Sequence, residues 1–254
     1  MSDVALTLRQ LKFENRTFWR NPAAAFFTFV FPLMFLFIFT SVFGNDDMDV
    51  AGKTVKASTY YVGTIAAFSL ITACYTNVAM GVSFARDQGV LKRVKGSPLP
   101  SWCYLAGRIG HAILIGILLV AIVTLFGAAF YGVEVPTNTL PGLIVTLIVG
   151  SASFAALGLA ITSIIPNAEA APAIVNFSIL PLLFMSGVFF PVKDWMETFT
   201  SFFPVKPLLD MIAYAFNPAT TGTGIDLADL AVVAAWGIAG ALLAIRYFSW
   251  EPRR

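Results

Sequence analysis

Charge is what this sequence has least of. Asp, Glu, Lys and Arg make up 12% of the 254 residues, about half the roughly 25% of an ordinary water-soluble domain. So little charge, spread along the whole length, cannot solvate a water-exposed surface. Histidine occurs once, at His111, and cysteine twice, at Cys74 and Cys103, far apart in the chain. That inventory leaves no disulfide framework, no zinc-ligand spacing and no catalytic triad. His111, at the start of an apolar run, is expected to be a packed or interfacial helix residue. No G-x-x-x-x-G-K-[ST] occurs, so there is no P-loop. The glycine-bearing basic stretch from Gly89 to Lys95 has the wrong spacing and lacks a hydroxyl after a lysine. No charged residue falls deep inside an apolar run. Ion-coupled carriers and intramembrane proteases keep such groups at mid-membrane, so both classes are disfavoured. No enzyme activity, no metal, no cofactor in this chain and no nucleic-acid partner are expected.

What is present is greasy sequence: 58% hydrophobic residues, 24 Phe and a mean hydropathy of +0.80. The expected fold is all-α, one polytopic membrane domain over 1–254 with six spans. About 20 apolar residues cross the roughly 30 Å of hydrocarbon. The runs that do so are 22–43, 59–84, 109–131, 140–165, 170–190 and 228–246. Pro32 interrupts the first and Pro181 the fifth, each a site for a kink. Gly150, Ser151, Ala152, Ser153 and Gly158 give the fourth a small-residue face for close helix packing. Before the first span, Val4, Leu8, Leu11, Phe18 and Trp19 alternate with Arg9, Lys12, Arg16 and Arg20, a basic amphipathic helix over 1–21 suited to the interface. The first run is too long for a signal-peptide core and no A-x-A-like site follows it, so no cleavable signal is expected there. Residues 191–227 are too broken by Pro204 and Pro207 to span, and too apolar, with Trp195, Phe199, Phe202 and Phe203, for a free loop. They are expected to form one or two short re-entrant helices, whose irregular backbone must be buried in protein or line a cavity.

Basic residues orient the spans. Arg9, Lys12, Arg16 and Arg20 precede the first, Arg86, Lys92, Arg93, Lys95 and Arg108 lie between the second and third, and Arg246, Arg253 and Arg254 follow the last. The opposite side has Lys53, Lys56, Lys193 and Lys206. The positive-inside rule then puts both termini in the cytoplasm of a multi-pass cell-membrane protein. Among polar residues in the spans, Asn77 and Asn176 are the candidates for a pathway or for hydrogen bonds between helices.

The segment 84–108, FARDQGVLKRVKGSPLPSWCYLAGR, carries the most order. Leu91 and Val94, three apart and flanked by Lys92, Arg93 and Lys95, predict a short amphipathic helix, which Pro98 would stop. Such a helix could plug into a cleft on a cytoplasmic partner. It could equally be a basic loop touching anionic lipid, worth roughly 1 kcal/mol per basic residue, and spacing favours the first only weakly.

This segment resembles the coupling-helix region of the ABC-2 class of ABC transporter permeases, Arg-(acidic)-x-Gly-(Thr)-Leu-x-Arg followed by Pro-Leu. The matching residues are Arg86, Asp87, Gly89, Val90, Leu91, Arg93, Pro98 and Leu99. Asp87 stands where glutamate is usual and Val90 where threonine is. A second stretch, LLFMSGVFFPVKDW at 182–195, is similar to the family's end of the fifth span: Ser186, Gly187, Phe190 and Pro191 match, with Met185 in place of leucine. PVKPLLDM at 204–211 resembles the segment before the last span, without the arginine usual a few residues on, and the N-terminal basic helix resembles the family's elbow helix. The resemblance covers essentially the whole chain.

It implies a dimer of two permease copies. Each would dock a separate cytoplasmic ATPase subunit, which bears the Walker A motif and holds ATP and Mg2+, through Arg86, Asp87, Gly89, Leu91, Lys92, Arg93 and Pro98. It also implies outward movement of an amphipathic small molecule or drug. Export of a lipid-linked polysaccharide or lipid is the alternative within the family, and a non-transporting membrane assembly factor the alternative outside it. Substrate and membrane lipids would be the remaining partners.

Overall fold

The computed structural model describes residues 2–43, 46–50, 53–189, 195–217, 220 and 223–251. The order is α1 (Asp3–Trp19), α2 (Pro22–Phe43), β1 (Asp47–Val50), β2 (Lys53–Lys56), α3 (Ala57–Ile71), a π-helical turn (Thr72–Thr76), α4 (Asn77–Asp87), α5 (Val90–Lys95), α6 (Ser101–Tyr131), α7 (Leu140–Ile161), α8 (Ala171–Met185), α9 (Trp195–Thr200), α10 (Val205–Phe216) and α11 (Leu227–Tyr247). The protein is an all-α, multi-pass membrane domain with one small antiparallel hairpin, Asp47 opposite Lys56 and Val50 opposite Lys53.

Five helices among the described residues are long and apolar enough to cross a bilayer: α2, the continuous Ala57–Asp87 rod, α6, α7 and α11. The expected fifth span, 170–190, is a 15-residue apolar helix, α8. At 1.5 Å per residue it covers roughly 22 Å. The third span begins at Ser101 rather than at 109, because the tail of the expected loop, from Ser101 to Arg108, has no proline and extends α6, with Gly107 accommodated where Gln10 packs close. Pro100 sets the boundary, since its ring lacks the amide a helix interior needs. The expected elbow folds as α1, and the segment 191–227 contributes α9 and α10.

Lipid tails are as apolar as leucine, so burial of greasy surface does not drive these helices together; close packing and hydrogen bonds do. The small face of α7 is where backbones approach. A side chain on Gly158 would lie 2.7 Å from the Tyr75 carbonyl oxygen of the π turn, and one on Gly150 would lie 2.6 Å from Leu208 of α10. From the other direction Gly240 of α11 lies against the backbone of Leu157. The rod Ala57–Asp87 runs through the middle and is mostly buried, whereas α2 and α11 turn most of their surface outward. Phenylalanine builds a cluster between helices: Phe39 packs on Tyr61 (5.3 Å) and Phe189 (5.9 Å), and Phe68 and Phe184 close on Phe189. This ties α2 and α3 to the end of α8.

Replacing Gly158 tests the packing account. Gly158→Leu must push α7 off the backbone of the π turn, so a loss of about 1–3 kcal/mol is expected, typical of overpacking. It would read as a lower midpoint of thermal unfolding in detergent. An unchanged midpoint would mean that the contact is not a close one.

Candidate functional site

The segment with the richest pattern divides into two faces. Arg86 closes α4, and its side chain is 1% exposed. Its guanidinium donates to the carbonyl oxygens of Thr162 (2.9 Å) and Ile165 (2.7 Å). The Thr162 carbonyl lies at the cap of α7 and that of Ile165 in the turn just beyond, where no further helical turn donates N–H groups to them and the helix dipole presents negative charge. Asp87 accepts from the backbone N–H of Ala168 and lies 3.6 Å from the Arg86 Nε. Adjacent residues thus bind both arms of the α7–α8 turn to the end of the second span. Expected at a docking surface, Arg86 and Asp87 instead face the α7–α8 turn, where the several N–H groups of the guanidinium reach two carbonyls and the carboxylate reaches the Ala168 N–H.

Gly89 follows with φ +71°, a left-handed conformation that favours glycine. It starts α5, the six-residue helix predicted from Leu91 and Val94. Leu91 is fully buried and Val94 half-buried, while Lys92, Arg93 and Lys95 are exposed on the far side, with Pro98 exposed after the helix. The apolar face thus anchors α5 to its own domain, and the basic face is what another chain could touch. The tail lies alongside: Lys95 is 3.7 Å from Glu251, and Tyr104 packs against Trp250 at 5.6 Å.

A cavity of about 640 Å³ lies among the π turn, α7, α8 and α11. Its wall is apolar, with Phe154, Leu182, Phe203, Trp236 and Tyr247, and a few polar groups. One is a hydrogen bond between the hydroxyls of Tyr75 and Ser178 (2.7 Å). Size and lining are those of a small-molecule site, mostly greasy with a few placed polar atoms. Asn176 is half-buried on α8, and the wall takes Ser178 from that helix instead. Asn77 is exposed on the chain's surface and borders two smaller cavities.

At the end of α8, Ser186 is buried and Gly187 turns with φ +88°. The Gly187 carbonyl accepts from the Tyr60 hydroxyl at 2.6 Å, joining this turn to the start of α3. Phe190 and Pro191 lie outside the described residues. Beyond, Lys206 holds Asp210 at 2.7 Å and Glu197 at 3.4 Å. Burial raises the Asp210 carboxyl above its ordinary range, and the Lys206 ammonium opposes that rise.

Two features escape the sequence reading. The first is the ion pair of Glu14 on α1 with Arg108 on α6, 2.8 Å and largely buried. The pattern offered only a weak signal, since Glu14 is an acid in a basic helix. The second is the π turn, which has no local sequence mark. Among the described residues, no three His, Cys, Asp or Glu side chains gather as a metal site.

Residues 5–217 match the family model described as "ABC-2 type transporter". The chain belongs to this family. Among curated proteins, it is 25% identical over 137 residues to the "Probable multidrug ABC transporter permease YbhR" of Escherichia coli K12, and equally to that of Escherichia coli O157:H7. The match covers 52% of this chain and 37% of each relative, so the chain spans little more than a third of the length of the relatives it matches. As an ABC-2 membrane permease it is not the ATP-hydrolysing subunit.

Substitutions at the two turns test the site. Arg86→Lys keeps the charge but cannot bridge both carbonyls. The loss of one charge-assisted bond, about 1.5–3 kcal/mol, should lower the unfolding midpoint and speed proteolysis within 163–170. Gly187→Ala forces a side chain into left-handed backbone and should cost about 1–3 kcal/mol. Unfolding midpoints equal to that of the parent protein would reject both assignments.

Proposed function

We propose that this permease is the membrane-spanning subunit of an ATP-driven exporter that moves amphipathic small molecules outward, with a separate ATPase subunit docked on α5 and a second permease copy beside it. The reading includes six crossings with both termini cytoplasmic. Its support is that the turns sort onto two ends. Arg86, the 162–168 turn, α5 and the tail meet at one. Gly187, Tyr60, Thr139 and Ala215 meet at the other. A crossing by the short α8 agrees with this sorting.

The observation that carries the reading is the Arg86 guanidinium bonded to the carbonyls of Thr162 and Ile165, which joins the end of α4, beside α5, to the turn between α7 and α8. A load on the basic face of α5 would pass along α4 and this guanidinium to that turn, whose two helices are among the walls of the large cavity. Power applied at α5 therefore reaches the place where cargo would sit. A volume of about 640 Å³ with an apolar wall suits a drug-sized amphiphile and is small for a glycan. That the relatives are named probable multidrug permeases points the same way.

The test is purification of the tagged chain from native membranes in mild detergent. A co-purifying P-loop ATPase is expected, released by high salt because a basic face meets an acidic one. Lys92→Glu with Arg93→Glu should reduce its recovery at least tenfold while the permease stays folded. Ser178→Trp should leave the ATPase bound and reduce export of a lipophilic dye at least tenfold. If no ATPase co-purifies, or if the charge-reversed protein retains it, α5 is not the docking element. Normal export by Ser178→Trp would exclude the large cavity as the cargo site.

A further inference from the structure

A second, two-part cavity lies on the other side of the π turn, between α1, α2, the second span and α6. One part is a slot of about 330 Å³ lined by Phe27, Phe31, Phe68, Leu119, Ala73 and Asn77. The other is a chamber of about 150 Å³ lined by Glu14, Thr17, Phe18, Arg108 and His111, and again by Ala73 and Asn77. Ala73 and Asn77 border both, so the mostly apolar slot and the polar chamber adjoin along these two side chains. Ala73 belongs to the π turn and Asn77 follows it directly. Such turns add a residue to a helix and re-aim its neighbours, often at functional sites.

We propose that this cavity binds an amphiphile drawn sideways from the bilayer, its chain in the slot and an uncharged, hydrogen-bonding head in the chamber. Lateral access follows from α2: Phe27 is 65% and Phe31 40% exposed, so the slot opens on the surface that faces lipid. The head group follows from charge. Glu14 and Arg108 neutralise each other at 2.8 Å, and Gln10 donates to the second carboxylate oxygen at 2.8 Å. A charged head would enter a balanced, largely buried pair and remain uncompensated, which is costly. A neutral head avoids that cost and finds polar partners: the Asn77 amide borders it, and the His111 Nδ1 has no hydrogen-bond partner. A modest turn of the imidazole would present that atom, able to donate or accept according to its tautomer. This site is distinct from the large cavity, shares only the π turn with it, and its occupancy does not depend on the exporter reading.

The test uses a monoacylglycerol carrying a photoreactive diazirine in its chain, incorporated into nanodiscs with the purified protein, with labelled peptides mapped by mass spectrometry. Labelling is expected to concentrate on α2 and α3 around Phe27, Phe31 and Phe68. Ala24, exposed at the slot's margin, allows Ala24→Trp to fill the slot without disturbing the interior; it should reduce that labelling at least fivefold. Asn77→Leu, also at an exposed position, should reduce it at least threefold. Fatty-acid and alkyl-trimethylammonium probes of the same chain length should label the site at least fivefold less. Labelling spread evenly over the lipid-facing helices, or unchanged in Ala24→Trp, would overturn the site. Equal labelling by either charged probe would overturn the assignment of an uncharged head.

Discussion

Everything in this fold hangs on how closely other backbones can approach α7. In a bilayer the hydrophobic effect does not hold one helix against another, so stability between helices must come from dense contact and from hydrogen bonds. Glycines at 150 and 158 let α10 and the second span reach the α7 backbone, and Gly240 lets α11 do the same from its own side. The contact at Gly158 falls on the carbonyls of Cys74 and Tyr75, inside the π turn. The irregular turn is therefore supported by a helix smooth enough to lie flush against it, with Gly116 of α6 lying against Cys74 as well. Because Tyr75, Ala73 and Asn77 all radiate from this region, the same contact fixes the walls of the cavities on both sides of the rod.

The second constraint is polar. Helix ends leave carbonyls without partners, and near a bilayer such groups are costly unless protein satisfies them. Arg86 meets that need for α7, and in doing so turns a local capping problem into a long-range link between residues 86 and 165. Glu14 and Arg108 make a second long-range polar link, joining α1 to α6. Gln10 and Leu11 press on α6 at Gly107 and Gly110, so α1 is seated by shape as well as by charge. Both arginines are largely buried, and in both the charge is balanced by groups that the fold itself fixes.

The spans were legible in the sequence because a long uncharged run has few alternatives, and the end points of α2, α7 and α11 follow closely from their flanking prolines and charges. The start of α6 was not, since charge in 101–108 argues for a loop while the absence of a proline argues for a helix, and the second prevailed. Within the patterned segment, spacing correctly separates the apolar side of α5 from its basic side. It does not reveal that Arg86 and Asp87 turn inward, because their partners lie some 80 residues away in a turn with no distinctive composition. A family pattern marks those positions as important without saying whether they face a partner or the protein. Asn176 and Ser178 illustrate the same limit: both are polar residues on one apolar helix, and only the rotation of α8 makes Ser178 the one that meets Tyr75.

These points bear on how force could travel through the permease. A six-residue helix such as α5 has little stability of its own, since a helix this short scarcely offsets its nucleation cost. Its position is set by Leu91 below and Gly89 behind. An element so held is a poor independent switch and a good lever, moving only as far as the residues that anchor it. The guanidinium of Arg86 is rigid and planar, and it bonds two carbonyls rather than one, so displacement of α4 would carry the α7–α8 turn with it rather than stretch a single bond. The closeness of α7 to its neighbours works in the opposite sense, resisting any independent motion of that helix. α8 is held at its far end by the Tyr60–Gly187 bond and the Phe189 cluster, while between its ends it carries Pro181 and lines the large cavity with Ser178, Ile179 and Leu182. Motion delivered to the α7–α8 turn would thus be taken up by α8, changing the shape of the cavity while the α7 post and the π turn stay in place.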